Sequence, residues 1–476
     1  MTGQAFIALL PELIATGFLI LVLMAGVFSD NNAGVAAGLA ALGTLAVFGS
    51  AAVLLATGFS GSYFGGGFVV DGFALYFKLI VAGSAFFAVL AAARWSGQTG
   101  DAPEYLTLIL SVVLGSILLV SMRDLFGVFL SIELATIPSY AMVAFDRSRR
   151  ESAEGGMKYL ITGVIASSVL LYGIVLIYGV SGSAMLQDVA NTFSGTLSPV
   201  AVLGLVLMIS GFAFKLSAAP FHFWTPDAYQ GAPTSAAAFL SVAPKAATFA
   251  ILLRILLEGM PEAAPTWTAV MAFLAIVTMF VGNLFALRQR NVRRMLAYSS
   301  VAHSGYILAA FAAIQGAGVA FAVQAVLIYS AAYAVMNMGA FLVIDLVGED
   351  TKSYNGLVRT NPGVAASMAL FMAALVGIPP LSGFFGKLWI IIAGAQSGSI
   401  LVYIVVGALV VNTVLSVPYY FGIIRNMMLE EPTTETAREK GSGAVRFCVY
   451  TLAVLTTLFG LLIIPLSTLV RASGLA

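Results

Sequence analysis

The sequence is poor in charge and in the side chains that bind metals or form disulfides. Only 9% of its 476 residues are charged, whereas 60% are hydrophobic. Because the surface of a soluble domain needs about a quarter charged residues, this composition excludes a soluble protein of this size. The single cysteine, Cys448, excludes a disulfide framework and any cysteine-ligated cluster supplied by this chain alone. The net charge of +1 gives no indication of nucleic-acid binding.

Signal-peptide and nucleotide-binding motifs are also missing. No basic residue precedes Lys78, whereas a cleaved signal peptide needs a positive n-region. We therefore expect the N-terminal segment to remain as a first membrane-spanning helix. The sequence contains no P-loop and no GxGxxG motif after a strand, and we interpret the Gly65–Gly67 run as a flexible loop. These absences exclude a nucleotide site within this chain.

Apolar runs of roughly 20 residues recur from end to end, which predicts an all-α polytopic membrane protein. Turn signals divide these runs into 14 predicted transmembrane helices. The expected helices lie near 5–28, 33–57, 71–93, 103–122, 125–144, 155–180, 198–229, 233–258, 265–287, 294–313, 318–346, 362–395, 399–428 and 444–470.

The distribution of basic residues orients this bundle through the positive-inside rule. Loops that follow odd-numbered helices contain 14 of the 22 basic residues, and the opposite side has only Arg123 and Arg471. The 14 are Arg94, Arg147, Arg149, Arg150, Arg288, Arg290, Arg293, Arg294, Lys352, Arg359, Arg425, Arg438, Lys440 and Arg446. The separation predicts that both termini face the outside and that the basic loops face the cytoplasm.

Prolines interrupt two of the predicted helices. Pro220 lies within the seventh, and Pro379 and Pro380 lie within the twelfth, where together they free the carbonyls of Leu375 and Val376. Irregular backbone at membrane depth is tolerated only where it lines a cavity or is buried in protein. A lysine lies near each break, at Lys215 and Lys387; the alternative, a simple packing kink, does not explain these lysines.

The two breaks lie five helices apart, so successive five-helix units run in opposite directions across the membrane. Interrupted helices in matching positions indicate inverted repeats with a site at the midplane. The predicted regions are helices 1–3 (1–102), a first repeat of helices 4–8 (103–258), a second repeat of helices 9–13 (265–428) and helix 14 (444–476).

Five charged side chains fall inside the predicted helices without an obvious partner: Glu133, Lys158, Lys215, Lys245 and Lys387. A charge at a helix centre costs roughly 2.5–3.5 kcal/mol, so five facing lipid would cost on the order of 10 kcal/mol or more. We therefore expect them to face one another, or water, inside the bundle. Removal from water disfavours the charged form of an ionisable group, so such groups can take up and release protons. The pattern predicts a proton path.

Each of the less central candidates has a structural alternative. Lys158 is near a helix start and can reach the interface, and Lys387 can do so in part. His222 can satisfy a carbonyl freed by Pro220, whereas His303 lies in YSSVAHSGY, where hydroxyl groups can hold water. The other charges are interpreted structurally: Lys78 as a residue extending to the interface, Arg254–Glu258 as an i,i+4 ion pair, Arg123–Asp124 as a loop pair, and Glu12 and Glu104 as acids near helix starts.

Four motifs together resemble the antiporter-like membrane subunits of respiratory complex I: IELATIPSY, AAPFHFWTPDAYQGAPT, RRMLAYSSVAHSGY and GIPPLSGFFGK. The resemblance covers about 105–430. It implies that Glu133 pairs with Lys215, that Lys245 is the central lysine and that Lys387 is the terminal residue. It also implies that Lys158 is an additional lysine, and that His222 and His303 are polar connectors of two half-channels. Lysine rather than glutamate at position 387 indicates one branch of this family.

The function implied by this resemblance is proton translocation driven by NADH oxidation and quinone reduction in other subunits. No cofactor is expected in this chain, and NADH, FMN, iron–sulfur clusters and quinone are expected in partner subunits. The partners are then other membrane subunits in the inner membrane of a bacterium, with no nucleic acid. Alternatives are a subunit of a cation/proton antiporter or of a hydrogenase-linked complex, a diheme electron carrier using His222 and His303, and a passive scaffold.

The predicted orientation can be tested by labelling single cysteines introduced into opposite loops. A cysteine at Gly182 should react with a membrane-impermeant reagent in intact cells, because the 181–197 loop is predicted to be external. A cysteine at Gln289, between Arg288 and Arg290, should not react. The reverse pattern of labelling would contradict both the orientation and the number of helices.

Overall fold

The structure is a computed structural model that describes residues 3–28, 33–99, 101–193, 197–314, 318–432, 442–464 and 467–468, without the side chains of 94–99. The basic side chains of Arg94, Arg438, Lys440 and Arg471, on which part of the predicted orientation depends, lie outside this description.

The N-terminal region and the first predicted repeat are built from helices in chain order. The N-terminal helices are α1 (Gly3–Ala8), α2 (Leu10–Phe28), α3 (Ala33–Ala56) and α4 (Gly72–Thr99). Next come α5 (Ala102–Leu119), α6 (Leu125–Val143), α7 (Arg150–Ser181), α8 (Leu186–Thr192), α9 (Pro199–Lys215), α10 (Trp224–Gly231), α11 (Thr234–Leu240) and α12 (Ala243–Arg254), followed by a π-helical turn (Ile255–Gly259).

The rest of the described chain is also helical. The helices are α13 (Ala264–Ala286), α14 (Val292–Ala312), α15 (Val319–Val347), α16 (Leu357–Thr360), α17 (Pro362–Val376), α18 (Ser382–Gln396), α19 (Ile400–Leu429) and α20 (Gly443–Leu461). Short 3-10 turns at Pro261–Ala263 and Thr351–Tyr354 connect them.

Within the described residues, 11 helices are long and apolar enough to cross a membrane. Two shorter apolar helices, Pro199–Lys215 and Pro362–Val376, are the first halves of the segments that were predicted to break. The all-helical membrane architecture is therefore confirmed, whereas the count of fourteen spans and the inverted repeats stay predictions. Both half-helices begin alike, with a capping side chain followed by proline: Ser198 accepts from Ala201 N, and Asn361 accepts from Val364 N.

A small β-hairpin precedes α4 and was missed by the sequence analysis. Strand β1 (Gly61–Tyr63) pairs antiparallel with β2 (Phe68–Val70), with Gly61 opposite Val70. The glycine run interpreted as a flexible loop forms its turn, where Gly65 and Gly66 adopt positive φ. The hairpin packs on the α5–α6 connection, since Val69 N donates to the Ser121 carbonyl at 2.8 Å. Three-residue strands were too short for an alternating pattern to reveal them.

Helices α13 and α14 of the second predicted repeat pack backbone to backbone. A Cβ atom on Gly282 would lie 2.4 Å from the amide nitrogen of Ala302, so a larger side chain would force the two helices apart. Small residues at such contacts allow the close approach on which helix association in membranes depends. This packing fixes α14, which carries His303.

Gly282→Ala should therefore lower the free energy of unfolding by on the order of 1–3 kcal/mol, the usual cost of overpacking. Less stable protein should then be present in the membrane. Gly179→Ala on α7 is the matched control, because its added Cβ has no atom within 4 Å, and it should be neutral or slightly stabilising. Thermal denaturation in detergent compares the two variants. Equal melting temperatures would show that the α13–α14 contact is not tight.

Candidate functional site

The first predicted pair meets between α6, α7 and α9. Lys215 Nζ lies 3.5 Å from Glu133 Oε1, 3.1 Å from the Ser167 hydroxyl and 3.0 Å from the Thr136 hydroxyl. Ser167 donates to the same Glu133 oxygen at 2.6 Å. The lysine is buried, whereas 21% of the Glu133 side chain is exposed. The loose ion pair therefore has a hydroxyl bridge, through which the ammonium can change partners without losing every hydrogen bond.

The pair lies where the predicted seventh helix is interrupted. Lys215 is the last residue of α9, and α10 resumes at Trp224. Between them the backbone is irregular: Ser217 has φ of 57°, and Ala219 N donates to the Thr278 hydroxyl on α13 at 2.9 Å. Trp224 Nε1 closes the break by donating to the Phe214 carbonyl at 3.2 Å. The break thus ends a helix at Lys215, where the negative end of the helix dipole favours a cation.

His222 lies in the same irregular segment. Its side chain is buried, and its ring lies 4.6 Å from that of Phe223. Among the residues that the structure describes, no hydrogen bond joins His222 to Lys215 or Glu133. The role of half-channel connector that the resemblance implies for His222 stays a prediction.

Lys245 lies at a third helix break, which the sequence analysis missed. Helix α11 ends at Leu240 and α12 begins at Ala243, with Pro244 in its first turn. Lys245 Nζ donates to the Ser300 hydroxyl on α14 at 2.7 Å and lies 5.7 Å from the centre of the Tyr229 ring. The proline could have indicated this break, but it was treated as part of a continuous eighth helix.

A cavity of about 10 Å³ adjoins Lys245, and its polar lining comes from Ser304, Ser330 and Tyr333. Such a volume is about what one water molecule needs, and a buried water needs two to four polar partners. The Ser330 and Tyr333 hydroxyls are buried and have no hydrogen-bond partner among the described residues. The site can therefore hold a water molecule between the Lys245 ammonium and α15.

His303 connects three helices of the second half. Its Nδ1 lies 2.9 Å from the Tyr329 hydroxyl on α15, and its Nε2 lies 3.2 Å from the Tyr420 hydroxyl on α19. Tyr420 in turn shares a short hydrogen bond with Ser299. Because a neutral imidazole donates from one nitrogen and accepts at the other, an exchange of tautomers would transfer a proton across the ring. The His303 ring also lies 5.0 Å from that of Tyr333, which lines the cavity beside Lys245.

Lys387 lies at the predicted break of the twelfth helix. Helix α17 ends at Val376, Gly377 adopts φ of 94°, and α18 begins at Ser382. Lys387 Nζ donates to the carbonyls of Val376 at 2.7 Å and Leu375 at 3.4 Å. These are the carbonyls that the prolines were predicted to free. The ammonium also lies 4.6 Å from the centre of the Tyr306 ring, which places it beside the His303 cluster on α14.

Glu133, Lys215, Lys245, His303 and Lys387 form an interior row, and Lys158 does not belong to it. Its side chain is 45% exposed, and Nζ pairs with Glu154 at 2.6 Å and with Asp227 at 2.8 Å. The expectation that Lys158 faces the bundle interior is therefore wrong, because the i,i+4 acid on its own helix holds it near the surface. Asp227 also pairs with Arg294 at 2.5 Å, so this cluster links α10 to the start of α14.

The structure also tests three charged groups for which the sequence predicted a structural role. Lys78 does not extend to the interface: it is fully buried and pairs with Glu12 at 2.5 Å. The Arg254–Glu258 pair is confirmed at 2.8 Å. The Arg123–Asp124 loop pair is wrong, because Arg123 pairs with Glu258 at 2.7 Å, whereas Asp124 caps α6 by accepting from Gly127 N.

Comparison with known proteins defines the class to which this arrangement belongs. The family model described as NADH:quinone oxidoreductase/Mrp antiporter, TM matches residues 122–416, which contain every residue of the interior row. The chain belongs to this family of antiporter-like membrane proteins. A chain of the Mrp complex from Dietzia sp. shares the fold, with a TM-score of 0.87 at 21% identity over 99% of this chain and 97% of that one.

Within the family, the chain is similar to subunit N of NADH-quinone oxidoreductase. That subunit from Rubrobacter xylanophilus is 74% identical over 476 residues, which cover 100% of this chain and 99% of the relative. The subunit from Rhodospirillum rubrum is 34% identical over 96% of this chain and 95% of its own. A chain of respiratory complex I from Thermus thermophilus with bound aureothin superposes with a TM-score of 0.82 at 30% identity, covering 98% and 100% of the two chains.

The hydroxyl bridge at the first pair generates a graded prediction. Glu133→Gln removes the counter-charge of Lys215 and should lower proton pumping on the order of tenfold or more. Ser167→Ala removes two hydrogen bonds, one to Glu133 and one from Lys215, each of about 0.5–1.5 kcal/mol, but it leaves both charges in place and should lower pumping less than Glu133→Gln does. Ser168→Ala is the matched control, since that exposed hydroxyl bonds only its own helix, at Val164. Pumping in sealed membrane vesicles measures all three, and equal effects of Ser167→Ala and Ser168→Ala would contradict the bridge.

Proposed function

We propose that the chain translocates protons as an antiporter-like membrane subunit of an NADH:quinone oxidoreductase. The observation that carries this proposal is the row of buried groups that begins at Glu133 and Lys215, continues through Lys245 and His303, and ends at Lys387. Each lysine of the row lies beside a helix break and bonds neutral oxygens. Fixed ion pairs would instead hold such charges in one protonation state.

The first step takes place at the Glu133–Lys215 pair. A charge that changes in a neighbouring subunit alters the spacing or hydration of this pair, and the ammonium releases its proton towards Lys245. Helix α10 runs from the break beside Lys215 to Tyr229, whose ring faces Lys245. Between Lys215 and Tyr229, the hydroxyls of Ser217 in the irregular segment and of Thr225 in α10 are buried without a hydrogen-bond partner among the described residues. Ordered water commonly completes such groups, and water there supplies the connection.

The second step uses the side chains around His303, whose ring lies 5.0 Å from that of Tyr333 and 5.3 Å from that of Tyr306. Lys245 bonds Ser300, and the adjoining cavity admits water towards Tyr333 and Ser330. His303 passes the proton between its two tyrosine partners, and Lys387 receives it beside Tyr306. Release from Lys387 completes the crossing. Lys158 lies outside this row, in the surface cluster with Asp227. His222 lies at the first break, on the side from which the proton enters.

The energy required is compatible with an ion-pair trigger. Moving one charge against 100 mV takes about 2.3 kcal/mol. Leaving one member of a buried ion pair without its partner costs about 3–5 kcal/mol. Opening the Glu133–Lys215 pair therefore destabilises the charged form of the lysine by an amount of the required size, and the charge change in the neighbouring subunit provides this free energy. No redox centre is needed within this chain.

The redox chemistry belongs to partner subunits, which hold NADH, FMN, iron–sulfur clusters and quinone, and this chain contributes no cofactor. The chain resides in the inner membrane of a bacterium, as a polytopic member of a hetero-oligomer, with both termini on the periplasmic side. The chain is similar in sequence, over its whole length, to complex I subunits, whereas its similarity to the Mrp chain is one of fold. This difference favours the proposed function over that of a cation/proton antiporter subunit.

Substitution of Lys245 tests the central lysine. Lys245→Ala should assemble, because it removes a charge that is costly to bury, but pumping should be lost, because no titratable group within ten residues replaces it except Arg254. Lys245→Arg should fail as well, since arginine does not deprotonate in proteins. Lys387→Glu should retain partial pumping because it remains titratable.

The measurement is quinone-coupled proton pumping in membranes where a native gel has verified assembly. Lys352→Ala is the control, because that lysine is exposed on a loop, and it should pump normally. Normal pumping by an assembled Lys245→Ala complex would show that protons take another route.

A further inference from the structure

Helix α4 carries one member of an ion pair that lies away from the proton row and is as deeply buried as the lysines of that row. Lys78 Nζ lies 2.5 Å from Glu12 Oε1 on α2, and 0% and 5% of the two side chains are exposed. The ammonium also faces the ring of Phe68 in strand β2 at 5.3 Å. Neither group has a hydrogen bond to any other described residue. The pair therefore fixes α4 to α2 and the hairpin, without an outlet to a relay.

A second charged contact joins the start of α4 to the helix of the central lysine. Both carboxylate oxygens of Asp71 lie 2.9 Å from Arg254 Nη2 at the end of α12, which carries Lys245 in its first turn. Arg254 is fully buried, and it also pairs with Glu258. Glu258 bonds Arg123 in the α5–α6 connection. The axial position of α12 is thus set by a residue at the start of α4.

A third contact joins α4 to the second half of the molecule. The buried Tyr76 hydroxyl donates to the Leu327 carbonyl of α15 at 3.2 Å. Two residues further along α15, Tyr329 bonds His303. Serine and threonine in a helix usually bond a carbonyl of their own helix, whereas Tyr76 bonds a carbonyl 251 positions further along the chain. This bond therefore attaches the N-terminal helices directly to the helix that carries Tyr329 of the His303 cluster.

We propose that α4 is a positioning element for proton transfer between Lys245 and His303. Asp71 holds the helix that carries Lys245, Tyr76 holds the helix that carries Tyr329, and the sealed Glu12–Lys78 pair anchors α4 itself. The N-terminal helices then set the distance between two stations of the row to which they contribute no proton carrier. This inference rests on the proposed function.

Two conservative variants test the positioning contacts. Tyr76→Phe deletes one hydroxyl, and Asp71→Asn deletes one charge while keeping the shape. Both complexes should assemble, and pumping should fall about tenfold, because a misplacement on the order of 1 Å can cost about 100-fold. The matched controls are Tyr172→Phe on the exposed face of α7 and Asp188→Asn at the surface of α8, which should pump normally.

The pH profile of pumping separates positioning from mere stability. The groups that face Lys245 are Ser300, Ser304, Ser330, Tyr333 and Tyr229, and the nearest titratable side chain on α14 is His303, about one turn beyond Ser300. A shift of Lys245 relative to them should move the pH optimum of pumping in Tyr76→Phe and Asp71→Asn. Wild-type profiles, with or without a loss of assembled complex, would overturn the proposal.

A double substitution tests the anchor. Glu12→Gln or Lys78→Met alone leaves an uncompensated buried charge and should lower assembly, whereas an apolar pair of similar volume often replaces a buried ion pair without loss. The variant Glu12→Leu with Lys78→Met should therefore recover both assembly and pumping. A double variant that assembles but does not pump would make the pair a proton carrier and contradict its assignment as an anchor.

The result for Lys245→Ala distinguishes a failure of the proposed function from a failure of the positioning role of α4. If Lys245→Ala pumps normally, the proposed function fails, and this inference fails with it. If Lys245→Ala abolishes pumping while Tyr76→Phe and Asp71→Asn pump with an unchanged pH profile, only the positioning role of α4 is refuted.

Discussion

The constraint on which the structure depends is the cost of holding an ammonium group inside a membrane protein. The interior row meets this cost with helix breaks more than with counter-ions. Lys215 is the final residue of α9, and Lys387 bonds the last carbonyls of α17, so two lysines lie at the negative ends of helices. Lys245 instead lies in the first turn of α12, at the positive end.

This alternation has a functional consequence. Helix dipoles favour a positive charge at Lys215 and Lys387 and oppose it at Lys245. In the proposed function, a proton would be held at either end of the row and would pass quickly through the middle, where Lys245 bonds the Ser300 hydroxyl beside the cavity. The proposed path then has two stable stations separated by a transfer point, and the distance across that point is what we propose α4 controls.

The parts that could be predicted from the sequence are those with a local signature. Paired prolines identified the break before Lys387, including the freed carbonyls of Leu375 and Val376, and i,i+4 spacing identified Arg254–Glu258. Isolated charges in apolar runs identified Glu133, Lys215, Lys245 and Lys387 as interior groups. Family membership follows from motifs that each carry one of these features.

Contacts between distant parts of the chain could not be predicted in this way. Ser167 and Thr136 bond Lys215 across 48 and 79 positions, and Tyr420 bonds His303 across 117. Neither serine nor tyrosine is unusual in an apolar helix, so nothing in the local pattern marks them. Lys78 shows the opposite error: its closeness to a helix start suggested an exposed lysine, because the acid that buries it lies on another helix.

In the proposed path, His303 connects the two halves of the row, and its replacement tests that connection directly. His303→Phe keeps an aromatic ring between Tyr329 and Tyr420 but removes both nitrogens that bond their hydroxyls. The measurement is the rate of proton translocation coupled to NADH oxidation, in membranes that contain equal amounts of assembled complex. We expect translocation to be lost. Translocation at the wild-type rate would contradict a proton path along this row.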